Sequence, residues 1–176
     1  MQLISAGIQP SRLKTVGTLV IRVREAGSGR LIKTLAKRNT ITYNAGDIVR
    51  AMLAQRATDP AAGNYALGSM RFGTSATAPT RYDTDLLAEV GSTRQRLIDA
   101  KKVDGVTGEL TLQATLGTSE GNGNTLQEAA LFTLGAANWD DPVGGTLLMF
   151  SRQVHAAVAK TVAITLDYNW TLQFTT

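Results

Sequence analysis

The 176-residue chain contains no cysteine and only one histidine, His155. The first absence excludes a disulfide framework, a thiolate nucleophile and cysteine-ligated zinc; the second excludes a multi-histidine metal site. No uninterrupted apolar run approaches the ~20 residues that a membrane-spanning helix needs. The opening MQLISAGIQPSRLKTVG has neither a basic start nor a continuous apolar stretch, so it does not read as a secretory signal. There is no tandem repeat and no low-complexity tract. Aromatic residues make up 6% of the chain, and Tyr43 is alone among the first fifty residues, which argues against base stacking on a nucleic acid.

What is present describes a soluble globular domain. The chain is 43% apolar and 18% charged, and its length matches one domain able to bury roughly 70% of its extended surface. Eighteen basic residues against fourteen acidic ones give a net charge of +4. Nine of the basic residues, Arg12, Lys14, Arg22, Arg24, Arg30, Lys33, Lys37, Arg38 and Arg50, lie in the first fifty positions. Such a basic third suits interfacial ion pairs with an acidic partner, and association that weakens as salt rises.

Periodicity expects a mostly β protein. Residues 16 to 24 alternate, with Leu19, Ile21 and Val23 on one face. AGSGR then turns the chain into a second alternating run, Leu31 to Ala36, which makes a hairpin. The spacing in NAGDIVRAMLAQR predicts a helix near 44–55, capped by Asn44. ALGSMRFGT reads as a short strand, TSATAPTRYDTD as an irregular connection, and Asp85 to Glu89 as a single turn. DGVTG joins two strands, the second alternating through Leu110, Leu112, Ala114 and Leu116. TLQEAALFTL, TLLMFSRQV and KTVAITLDYNWTLQF supply three more, the last with Val162, Ile164, Leu166, Tyr168, Trp170, Leu172 and Phe174 on one parity. The expected fold is therefore an antiparallel β-sandwich, jelly-roll-like, spanning 16–176 with one packed helix. Residues 1–15 form an extended N-terminal arm, because Pro10 and the flanking glycines oppose a helix; Leu3, Ile4 and Ile8 are its anchors.

The chemistry-bearing residues mostly read as structural. EGNGN, residues 120 to 124, lies between strands and does not open a helix, so it is a turn and not a phosphate loop. Glu120 with Glu128, or Asp140 with Asp141, would be the carboxylate pair of a glycan hydrolase, but no third group positions them. His155 has no neighbouring acid or ligand. Lys160 enters the last strand, where a pairing with Glu128 or Glu89 is expected. Trp170 shares the core parity of its strand, and Trp139 in a polar loop is the better exposed contact.

Several segments, in order, resemble tailed-bacteriophage virion proteins of the fibre, baseplate and collar type. They are RNTITYNAGD at 38 to 47, RFGTSATAPTRYDTDLLAE at 71 to 89, EGNGNTLQEAALF at 120 to 132, LLMFSRQV at 147 to 154 and KTVAITLDYNWTLQF at 160 to 174. The resemblance departs from the usual pattern at Arg38 and at Ala129-Ala130. It implies a non-enzymatic structural subunit without cofactor or metal, made in the host cytoplasm and carried in the virion. Its partners would be copies of itself and other virion proteins, with no direct nucleic-acid contact and no membrane insertion. The expected interface residues are Leu3, Ile4, Ile8, Arg12, Lys14 and Trp139. Because no shaft or receptor-binding tip follows residue 174, a neck, collar, baseplate or fibre-adaptor subunit is expected. The alternatives are a module binding a host surface glycan through Trp139 or Trp170, and a capsid decoration protein.

Overall fold

The computed structural model describes residues 14–43, 45–46, 66–93, 97–133 and 147–175. Nine strands run through them: β1 Lys14–Glu25, β2 Leu31–Arg38, β3 Thr40–Ile41, β4 Leu67–Gly73, β5 Ala100–Asp104, β6 Glu109–Leu116, β7 Thr125–Thr133, β8 Met149–Ala159 and β9 Ile164–Thr175. They form two antiparallel sheets, one in the order β2-β1-β9-β6-β5 and the other in the order β3-β8-β7-β4. The pairs β1/β9, β3/β8, β4/β7 and β5/β6 nest inside one another in sequence, as in a folded antiparallel ribbon.

The alternation read from the sequence places the core. Leu19, Ile21 and Val23 of β1, Leu112, Ala114 and Leu116 of β6, and Leu166, Tyr168, Trp170 and Leu172 of β9 are all buried. They join Met70, Phe72, Leu131 and Phe150 of the second sheet in one apolar cluster. Phe72 and Tyr168 meet across the two sheets with ring centroids 4.3 Å apart. The opposite face of the first sheet is polar: Arg24 pairs with Asp167 at 2.9 Å, and Thr115 donates to the same carboxylate at 3.3 Å. Burial on one face and solvation on the other is what period-two patterning encodes.

The turns also follow local chemistry. Gly29 and Gly108 close the β1–β2 and β5–β6 hairpins with φ of 68° each, a conformation that costs a side-chain-bearing residue energy. Asp104 Oδ1 accepts the N–H groups of Val106 and Thr107 in the second turn at 2.8 and 3.1 Å. At the passage from β2 to β3, Asn39 donates to Ser151 Oγ at 2.7 Å, and Ser151 donates to the Thr40 carbonyl at 2.7 Å. Asn39 of the RNTI segment thus carries the chain from one sheet to the other. Its side chain also fills the space where a Cβ on Gly17 would stand.

One expectation changes here, and another falls mostly outside the described residues. The packed helix near 44–55 is not seen: positions 44 and 47–55 lie outside the described residues. Among the described residues no helix reaches seven residues, although Ala45 and Gly46 have helical geometry and Ala45 is buried. The single turn expected at Asp85 to Glu89 is instead an irregular strap of bends, ending in a bridge between Glu89 and Gly73. Its Leu87 and Ala88 N–H groups are drawn to the Glu128 carboxylate at 3.4 and 2.8 Å, so they are unavailable for helical bonds. A short 3-10 turn falls later, at Gly91–Thr93. No helix among the described residues is long and apolar enough to cross a membrane.

Candidate functional site

The densest polar chemistry lies on the outer face of the second sheet, under residues 74–90. The pairing of β7 with β8 puts it there. Leu131 pairs with Ser151 but Phe132 pairs with Met149, so β8 carries an extra residue at Phe150. This bulge turns Phe150 into the core and leaves Met149 and Arg152 facing outward with Ala130 and Phe132. Strict alternation would have placed Phe150 and Arg152 on one face.

Arg152 and Glu128 are both 0% exposed. Arg152 Nε donates to Glu128 Oε2 at 2.8 Å and Nη2 lies 2.7 Å from the same oxygen, while Nη1 donates to Asp83 Oδ2 at 2.9 Å. Nη2 also reaches the Thr77 carbonyl at 3.2 Å. Glu128 Oε1 accepts from the N–H groups of Ser75 and Ala88. One guanidinium and one carboxylate therefore hold the 74–90 strap at both ends. Burial alone would push the Asp83 carboxyl up, but the Thr80 N–H and hydroxyl together with Arg152 outweigh it and hold it below its usual value. Leu86 packs beneath the strap against Ala130, Phe132 and Met149. Beside it Arg71 stands 3.5 Å from Glu89, its guanidinium 4.7 Å from the centre of the Phe132 ring. At Gly73 a Cβ would collide with Glu128 Oε1 and the Ala88 carbonyl, so the strand must end in glycine for the strap to approach.

The strap's outer side carries a second cluster. Tyr82 is 73% exposed and Tyr43 54%, their rings edge-on with centroids 5.1 Å apart. Arg81 lies over the Tyr43 ring and donates to its hydroxyl at 3.1 Å, while the Tyr43 N–H donates to the Arg81 carbonyl at 2.9 Å. The Arg81 hydrogen bond holds the Tyr43 hydroxyl below its ordinary pKa, and hydrogen bonding to Tyr43 raises that of Tyr82. Sequence reading missed this cluster because Tyr43 is thirty-eight residues from Arg81. The only local signal was an Arg-Tyr pair in a polar connection.

The residues weighed from sequence fall in several places. Leu3, Ile4, Ile8, Arg12 and Trp139 lie outside the described residues, as do Asp140 and Asp141. Lys14 opens β1, opposite Thr175 in register. Glu120 accepts the Gly117 N–H at 2.8 Å within its turn, where Gly121 and Gly123 have φ of 67° and 80°. The expected pairing of Lys160 with Glu128 is corrected. Arg152 occupies Glu128, and Lys160, 1% exposed, instead donates to Asn122 Oδ1 at 3.0 Å and to the Thr161 carbonyl at 2.9 Å. It anchors the EGNGN turn to the start of β9. Trp170 is fully buried, so it offers no surface to a sugar.

His155 is buried on the core side, its ring 5.9 Å from that of Tyr168, with Nδ1 2.9 Å from the Ala156 carbonyl. Burial lowers its pKa, against the smaller pull of that carbonyl and of Glu128. The unfolded chain takes up this proton near pH ~6.5 and the folded chain only at lower pH. Between those values the unfolded state binds more protons, so stability is expected to fall as pH drops below about 6.5 and to level off beneath the folded pKa. Urea unfolding of the parent and of His155→Gln across pH 7.5 to pH 5 checks this: the parent's stability should fall more steeply, and equal slopes would contradict the assignment.

No family model, curated protein or solved structure matches the chain.

Proposed function

We propose that this protein is a non-enzymatic structural subunit of a tailed-bacteriophage particle. It would sit at the neck, collar or baseplate or act as a fibre adaptor, assembling with copies of itself and with other virion proteins. In this proposal the two sheets form a jelly-roll-like sandwich, which the nested strand pairs support, and a packed helix and the N-terminal arm complete the subunit.

One observation carries the proposal. The residues that make the sequence resemble such virion proteins converge on a single internal device: Gly73 admits the strap, Asp83 and Glu128 bind Arg152, and Leu86 seals it. The ordered motifs thus have a shared physical job. They hold a long connection rigidly against a sheet, which prepares a surface for contact with other subunits. The glycan-binding alternative loses support at Trp170, whose indole is enclosed by the core.

The test is the copy number of this chain in purified particles, by quantitative mass spectrometry against the major capsid and tail subunits. One or two symmetric rings' worth of copies is the expected result. Hundreds of copies would replace the neck, collar or baseplate position with capsid decoration, and absence from particles would overturn the virion proposal.

A further inference from the structure

Arg81 and Asp85 are exposed, opposite in charge and four positions apart on the strap. Arg81 donates to Tyr43, and Asp85 Oδ1 accepts the N–H of Leu86 at 2.8 Å; neither forms an ion pair among the described residues. Tyr43 and Tyr82 stand beside Arg81, both largely exposed, and Leu87, 57% exposed, follows Asp85 by two positions. Tyrosine and arginine are the side chains that most often anchor protein contacts. Here they are held in place in advance. The Tyr43–Arg81 backbone and side-chain bonds fix the cluster from above, and Arg152, bound to Asp83 between the two charges, fixes it from below.

We propose that the outer side of the strap is a self-complementary contact, joining two copies of the chain about a two-fold axis. A two-fold contact sets residue i against residue j and j against i. An axis passing near Asp83 would bring Arg81 of each copy to Asp85 of the other, with the two Tyr82 rings packed between the ion pairs. The charge pattern selects this occupant. A free anion drawn to Arg81 would meet the repulsion of Asp85, whereas a second strap, running antiparallel, answers both charges. Because the strap is clamped before association, little order is lost on binding.

The proposal rests on the assembly role given above, and a separate experiment tests it. Sedimentation of the purified full chain over a concentration series should show a monomer–dimer equilibrium. Arg81→Glu and Asp85→Arg should each weaken the dimer at least about tenfold. The double variant carrying both reversals should recover parent affinity to within about threefold, because the ion pairs re-form with their signs exchanged. Tyr82→Ala should weaken association similarly, with Tm, read at concentrations where the chain is monomeric, shifted by less than about 2 °C in every variant, since these side chains are exposed. A chain that stays monomeric, a dimer indifferent to both single reversals, or a double variant no better than the singles would each overturn the contact. Glycan binding abolished by Tyr82→Ala in a monomeric protein would likewise assign the patch elsewhere. A monomer found in particles defeats the two-fold contact alone, whereas a dimer absent from particles defeats the virion role alone.

Discussion

Replacing Arg152 with alanine should cost about 3–5 kcal/mol of unfolding free energy, a large part of the ~5–15 kcal/mol that stabilises a typical domain. The size follows from what the substitution leaves behind. Glu128 is 0% exposed, and without the guanidinium its carboxylate keeps only backbone N–H donors from Ser75, Leu87 and Ala88. An uncompensated buried charge is far more costly than an absent ion pair. Asp83 and the Thr77 carbonyl also lose their partner, so the strap should loosen along with the fold. Urea denaturation would show a lower midpoint with little change in slope. The double variant Arg152→Met with Glu128→Gln should be more stable than the sum of the single losses by about 0.5–3 kcal/mol, because Gln still accepts from the backbone without requiring a cation. A loss below about 1 kcal/mol for Arg152→Ala would mean that water reaches the pair and the clamp is not a dry one.

The second large effect belongs to the core. Trp170→Ala should cost about 3–5 kcal/mol, since the indole is fully buried between Leu19 and Leu112 in register and its removal opens a cavity that two sheets cannot close. Trp170→Phe should cost only about 1–2 kcal/mol. It removes less volume, and the indole Nε1 has no hydrogen-bond partner to lose. Paired denaturation curves of the two variants would check this order, and a Trp170→Phe loss as large as that of Trp170→Ala would indicate that the cost lies in a satisfied Nε1 and not in the lost volume. A Trp170→Ala variant that remained as stable as the parent would contradict the placement of this side chain at the centre of the molecule.

Much of the fold was legible because the signals are local. Alternation in residues 16 to 24, 109 to 116 and 164 to 172 marks strands with one buried face, whatever they pair with. Gly29 and Gly108 mark hairpins because few other residues accept their backbone angles. The turn nature of EGNGN was legible on the same grounds. The site was less so. Lys160 was the base expected at Glu128 or Glu89, and nothing in the spacing pointed to Arg152. The register of β7 against β8 decided it, by setting Arg152 opposite Ala130 on the face that Glu128 shares. Likewise the single turn expected at Asp85 to Glu89 failed because a distant carboxylate competes for its N–H groups.

By itself, then, the sequence determined that this is a mostly β chain, where its hairpins turn, and which faces of its strands avoid water, since each depends on side-chain periodicity and backbone freedom within a few residues. Tertiary structure alone decided that Arg152 meets Glu128 and Asp83, that Lys160 secures a turn instead, and that Tyr43 joins Arg81 and Tyr82 at the surface. Those contacts join residues 24 to 69 positions apart, and a one-residue shift of β8 against β7 would turn Arg152 away from Glu128.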